Sequence, residues 1–122
     1  MAIVDITTQE SVTTGNDAIV IVLNLETIPG GRTLDTTGFA PLVINAGHVI
    51  IEETATGELK PLPVSGTLPA SHTYKGILVS TILTAKPFAA IMVRGTVNQA
   101  AAPYTIATAV KTALPLIRFT QD

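Results

Sequence analysis

The residues best suited to chemistry in this chain are its two histidines, His48 and His72. A histidine metal site needs neighbouring ligands at fixed spacing. Along a strand, His48, Ile50 and Glu52 face one way and Glu53 faces the other. His48 and Glu52 would then stand about 13 Å apart, too far to hold one ion. Asp5, Asp17, Asp35 and Asp122 are scattered, so no metal site is expected. Serine catalysis needs a nucleophile, a base and an orienting acid. Ser11, Ser65, Ser71 and Ser80 lack a Gly-x-Ser-x-Gly setting, and Ser71 beside His72 is adjacency within a loop. Glu52 and Glu53 form the one adjacent pair of carboxylates, which strand alternation splits between two faces. Asp35 or Glu58 could approach them in space, which the sequence leaves open. Pro29-Gly30-Gly31-Arg32 lacks the Lys-Ser/Thr of a phosphate loop and any following helix, and reads as a turn. These gaps lead us to expect no enzymatic activity, no cofactor and no small-molecule substrate.

The other charges point outward. Lys60, Lys75, Lys86 and Lys111 are spread along the chain and read as solubilising groups. Arg94 is different, because it interrupts an apolar strand between Val93 and Gly95. It is either an outward-pointing or internally paired strand residue, or half of an ion pair between subunits, where Arg is enriched.

Short strands must position these residues. Residues 1–17 are mostly polar beyond Ile3, Val4 and Ile6 and end in the turn signal Gly15-Asn16-Asp17, so they read as an N-terminal arm. Residues 18–25 are a β-branched run suited to a strand buried on both faces. A Thr-rich stretch over 32–39 is expected to be a loop with one short edge strand. The strand signal His48–Glu53 is followed by a hairpin-like connection over 54–57 and a return over 59–64, which Pro61 and Pro63 confine to an edge. Residues 65–73 read as a surface loop. Residues 74–83 form a strand with a bend at Gly76, and residues 88–97 a strand with a bulge at Gly95. The one credible helix spans 106–114, with Ile106, Val110, Ala113 and Leu114 on one face, Thr105 as its cap and Pro115 as its stop. Residues 116–120 close the chain as a strand. The expected fold is mostly β, a small barrel- or sandwich-like (β-tulip type) domain over 18–122 with one short C-terminal helix.

Composition narrows the role. The chain has 122 residues, of which 47% are hydrophobic and only 13% charged, with a net charge of −2. It is too apolar for a disordered protein. It lacks the basic footprint of a nucleic-acid or membrane-surface binder, and its 4% aromatic content lacks base-stacking platforms. No apolar run approaches the roughly 18 residues of a membrane span. Met1–Asp5 shows no basic flank or cleavage site, so no secretion signal is expected. Without cysteine the redox compartment stays undecided. Small monomers usually carry about 25% charged residues. Half that amount points to surface covered by other subunits, with a Thr/Ser-coated monomer as the alternative.

Several strings, taken in order, resemble a known family. They are Ala46-Gly47-His48-Val49-Ile50, Thr56-Gly57-Glu58-Leu59-Lys60-Pro61, Tyr74-Lys75-Gly76-Ile77-Leu78, Arg94-Gly95-Thr96-Val97-Asn98 and Ile117-Arg118-Phe119. Their order and spacing over residues 41–122 are similar to the lambda-type phage head-decoration proteins. The resemblance implies a β-rich homotrimer on the outer surface of the virion, made in the host cytoplasm. Such trimers sit at local three-fold positions and cement neighbouring major capsid proteins after head expansion, without catalysis or cofactor. The family's N-terminal arm adds to the capsid contact; residues 1–17, with Ile3, Val4, Ile6, Thr7 and Thr8, occupy that place without matching a family string, and their strand-forming residues suit strand addition. Phe88, Met92 and Arg94 are the candidates for the trimer interface. Residues 18–40 depart from the family pattern. Two other readings stay open at this point: the trimeric base domain of a phage head fibre, and a small β-barrel ligand-binding domain.

Overall fold

The computed structural model describes residues 17–121. The arm candidates Ile3, Val4, Ile6, Thr7 and Thr8 lie outside the described residues. The chain runs α1 (Asp17–Val20), β1 (Ile21–Thr27), β2 (Arg32–Thr33), β3 (Val43–Ile44), β4 (Val49–Glu53), β5 (Leu59–Pro61), β6 (His72–Leu78), β7 (Ile82–Leu83), β8 (Phe88–Ala89), β9 (Ile91–Asn98), a 3-10 turn (Gln99–Ala101), α2 (Thr108–Ala113) and β10 (Ile117–Thr120). Among the described residues it is mostly β, with one short helix near the C-terminus and no closed barrel.

Runs such as Val49-Ile50-Ile51 and Ile77-Leu78 place large aliphatic side chains on both faces of a strand. Such strands are stable only where both faces are covered. The principal sheet meets this demand. Its order is β1-β9-β6-β4-β5, with β10 also paired to β9. On one face Val49, Ile77, Met92, Val97 and Ile117 pack with Val20 and with Ile106, Val110 and Leu114 around α2. On the other, Ile50, Leu78 and Ile91 pack with Leu34, Ile44, Leu59 and Ala89. That second layer is made by two small antiparallel pairs, β2 with β8 and β3 with β7. Full burial of each such aliphatic side chain contributes about 1.5–3 kcal/mol, so these two clusters hold the sheet.

β9 organises the sheet. Its first residues, Ile91 and Met92, pair with Leu78 and Ile77 of β6. Gly95 to Asn98 then pair in parallel with Ile117 to Thr120 of β10. Along its other side β9 pairs with β1. Gly95 lies between Asn24 and Ile117 with φ 155°, and a Cβ there would meet the Leu23 carbonyl and the Met92 sulfur. The β1 ladder slips between Asn24 and Glu26, which oppose Gly95 and Arg94, so the extra residue, Leu25, lies on β1 and not at Gly95, where the sequence predicts a bulge. At Gly76 the β4–β6 ladder also slips, and a Cβ there would strike the Met92 carbonyl.

Several expectations are corrected. The 18–25 run is not buried on both faces: Ala18 to Val20 belong to a helical turn, and β1 is an exposed edge strand. Ile21 still packs against the core, but Val22, Leu23 and Leu25 are left exposed. The 74–83 strand is two strands, and the 88–97 strand is likewise divided, because β7 and β8 leave the principal sheet to build the second layer. His72 and Thr73 belong to β6 rather than to the preceding loop. The helix is shorter than read, its N-cap is Ala107 without a side-chain cap, and Ala113 is exposed. Ile106, Val110 and Leu114 do face the core. β5 is an edge strand, as its prolines require.

Candidate functional site

Two surfaces differ from an ordinary protein exterior, one at each edge of the principal sheet. The first is β1. Ile19, Val22, Leu23 and Leu25 are 48% to 56% exposed. β1 pairs with β9 alone, so its outer side has no strand neighbour among the described residues. Its one charged residue is Glu26, which stands opposite exposed Arg94 in the β1–β9 register. Neither residue makes an ion pair within 4.0 Å among the described residues.

The second surface surrounds β5. The Lys60 ammonium lies 3.7 Å from the Glu53 carboxylate and 4.0 Å from that of Asp35. On the other face of the sheet, Lys75 lies 3.6 Å from Glu52. Strand alternation therefore does split the two glutamates, and Asp35 does approach Glu53 through Lys60. The Asp35 carboxylate accepts hydrogen bonds from the Thr37 hydroxyl, 2.6 Å, and the Thr37 N–H, 3.0 Å. These bonds, the hydroxyl first, hold its pKa below the ordinary value. Glu58 is pushed the other way, by its hydrogen bond to Asp35 and then by that group's charge. Pairs of carboxyls pushed apart can serve as acid and base. Here Glu58 is exposed, so water competes for its proton, and the arrangement acts as a solvated charge cluster.

Beside this cluster lies a groove of about 370 Å³ walled by Phe39, Ile51, Pro61, Pro63, Val64 and His72. The His72 Nδ1–H donates to the Ala70 carbonyl at 2.8 Å, and its Nε2 is buried without a hydrogen-bond partner among the described residues. His48 is a structural residue. It is 4% exposed, and its Nε2–H donates to the Leu62 carbonyl at 2.8 Å. Phe39 and Tyr104 meet its ring edge-on at 5.5 and 5.4 Å. Burial pushes its pKa down, partly offset by the bond to Leu62. Among the described residues no three potential ligands gather as a metal site.

The proposed interface residues separate. Phe88 is 64% exposed and Arg94 is exposed, but Met92 is 0% exposed within its own core. Met92 therefore has no surface to offer a neighbouring subunit, because its side chain turns toward Ile77 and α2 rather than outward. The exposed residues that sequence reasoning missed are Ile19, Val22, Leu23 and Leu25. Their signal was Asn24 and Glu26, which alternate with Leu23 and Leu25 and are out of keeping with a strand enclosed on both faces. Compared with known proteins, the chain matches no family model, no curated protein and no solved structure.

Proposed function

We propose that this chain is a structural capsid-decoration protein that binds the outer surface of a phage head as a homotrimer and stabilises contacts between major capsid proteins. The observation that carries this reading is the convergence of the strings that resemble the lambda-type decoration proteins. Gly95 to Asn98 and Ile117 to Phe119 lie far apart in sequence and pair side by side in β9 and β10. Gly76-Ile77-Leu78 abuts the start of the same strand. The strings thus belong to one packed framework, as they would in a shared fold. The sparse charge and the apolar β1 edge further support a role in assembly. In this reading the protein works by binding alone, with no cofactor or catalysis.

The test is co-sedimentation of the full chain with purified, expanded phage heads. Saturable pelleting with heads is the expected result, and pelleting no greater than that of an unrelated protein would remove the reading. Deleting residues 2–14 is expected to leave folding and trimer mass intact and to weaken head binding strongly. Unchanged binding by the truncated chain would make the arm irrelevant to docking.

A further inference from the structure

We infer that His48 is a pH-sensitive latch. While its ring is neutral it ties three distant segments of the chain together, and on protonation it releases them and two flanks of the groove beside β5. The ties are all made by the one side chain. Its Nε2 donates to the Leu62 carbonyl at 2.8 Å, and its ring meets Phe39 and Tyr104 edge-on at 5.5 and 5.4 Å. A carbonyl only accepts, so Nε2 carries the proton of the neutral ring and Nδ1 carries none. Phe39 lies between β2 and β3, Leu62 follows β5, and Tyr104 lies between the 3-10 turn and α2. None of the three is in a strand or a helix, so each segment depends on such contacts for its place. Phe39, Pro63 and Val64 also wall the groove of about 370 Å³, which therefore takes its shape from the same ties.

A second proton, on Nδ1, undoes this arrangement. The residue is 4% exposed, so a charged ring loses most of its hydration. No counter-charge replaces the lost water, since among the described residues His48 forms no ion pair. Phe39 and residues 62–64 bring no titratable group to the ring, and the Tyr104 phenol is the one such group against it. Asp35 and Lys60 line the groove but pair with each other. A cavity of about 30 Å³ walled by Leu62, Pro63, Val64 and Tyr104 lies beside the ring and has room for one water. Water drawn to the charged ring enters there, between the segments that the neutral ring holds together. Burial keeps the His48 pKa below the ordinary 6.5, partly offset by the bond to Leu62. The latch is therefore shut at neutral pH and opens as the pH falls below that ordinary value.

Hydrogen exchange of the full chain at pH 7 and pH 5, corrected for intrinsic rates, tests this. The amides of Phe39, Leu62, Gly66 and Ala102 report, because each is hydrogen-bonded in or beside a latched segment. His48→Gln keeps a side-chain N–H for the Leu62 carbonyl but does not titrate. His72→Gln and Glu58→Gln are controls that remove the titratable groups of the groove wall and of the neighbouring charge cluster. The unmodified chain and both controls are expected to lose protection at the four amides in acid while residues 91–98 keep theirs. His48→Gln is expected to protect them equally at both pH values. An acid loss that persists in His48→Gln, or that either control abolishes, would overturn the latch. So would an equal loss at residues 91–98, or no loss in the unmodified chain. Should His48→Gln unfold, the imidazole resonances of the unmodified chain decide, assigned by the pair that His72→Gln leaves. His48 must titrate below 6.5 and at the same midpoint as the loss of protection, and a midpoint at or above 6.5, or one apart from that loss, overturns the latch.

Discussion

One sheet ends in two edges that are treated in opposite ways. At β5 the edge is short, carries Pro61 and Lys60, and is flanked by Asp35, Glu53 and Glu58. At β1 the edge is seven residues long and bears exposed aliphatic side chains with Glu26 as its only charge. Proline, charge and brevity are the ordinary means of keeping an edge from pairing. The chain uses all three at β5, whereas β1 has neither proline nor brevity and a single charge, Glu26. The protection at β5 shows what an edge facing water requires in this sheet. Its absence at β1 makes that edge the surface suited to contact.

The largest expected effect comes from the residue that seats β1. Gly95→Ala adds a Cβ against the Leu23 carbonyl and the Met92 sulfur at a φ that favours glycine. Strain of about 1–3 kcal/mol and overpacking of about 1–3 kcal/mol combine to a loss of about 3 kcal/mol or more. Urea unfolding measures it, and a loss under about 1 kcal/mol would mean that β1 is not held through this close approach.

A smaller effect should appear at the other edge as pH falls. His48 is buried with its pKa below the ordinary 6.5, so it is neutral in the fold and its protonation favours the unfolded chain. Its contribution is present above the ordinary value and is lost as pH drops below it toward the folded value. Because His48 holds the Leu62 carbonyl just beyond β5, hydrogen exchange between pH 7 and pH 5 should lose more protection at residues 59–62 than at residues 22–26. Equal losses, after correction for intrinsic rates, would separate His48 from the β5 edge.

The smallest effect is expected from Lys60→Met. Its two part-exposed ion pairs are worth at most about 1 kcal/mol together, and added salt should erase the difference from the unmodified chain. The more telling readout is association. Removing the guard charge should increase concentration-dependent light scattering, and its absence would show that Pro61 alone protects this edge.

Much of the fold could be read from local pattern. Pro61 and Pro63 dictated an edge, and the spacing of Ile106, Val110 and Leu114 marked the buried face of α2. The divided strands could not be read in the same way. Ile82-Leu83 and Phe88-Ala89 carry the same residue types as their neighbours, and the partners that draw them into other sheets, Val43-Ile44 and Arg32-Thr33, lie far away in sequence.

Residue type and order were enough to determine a mostly β chain, sparse in charge, with one protected edge and a short amphipathic helix. These features follow from backbone restriction, side-chain alternation and composition, which act within a few residues. Tertiary structure alone decided that Met92 turns inward, that Asp35 meets Lys60, and that 21–27 lies at the edge of the sheet. An apolar run states that it must be covered but not by what. In β4 and β6 the cover comes from the same chain, whereas at β1 Val22, Leu23 and Leu25 are left exposed.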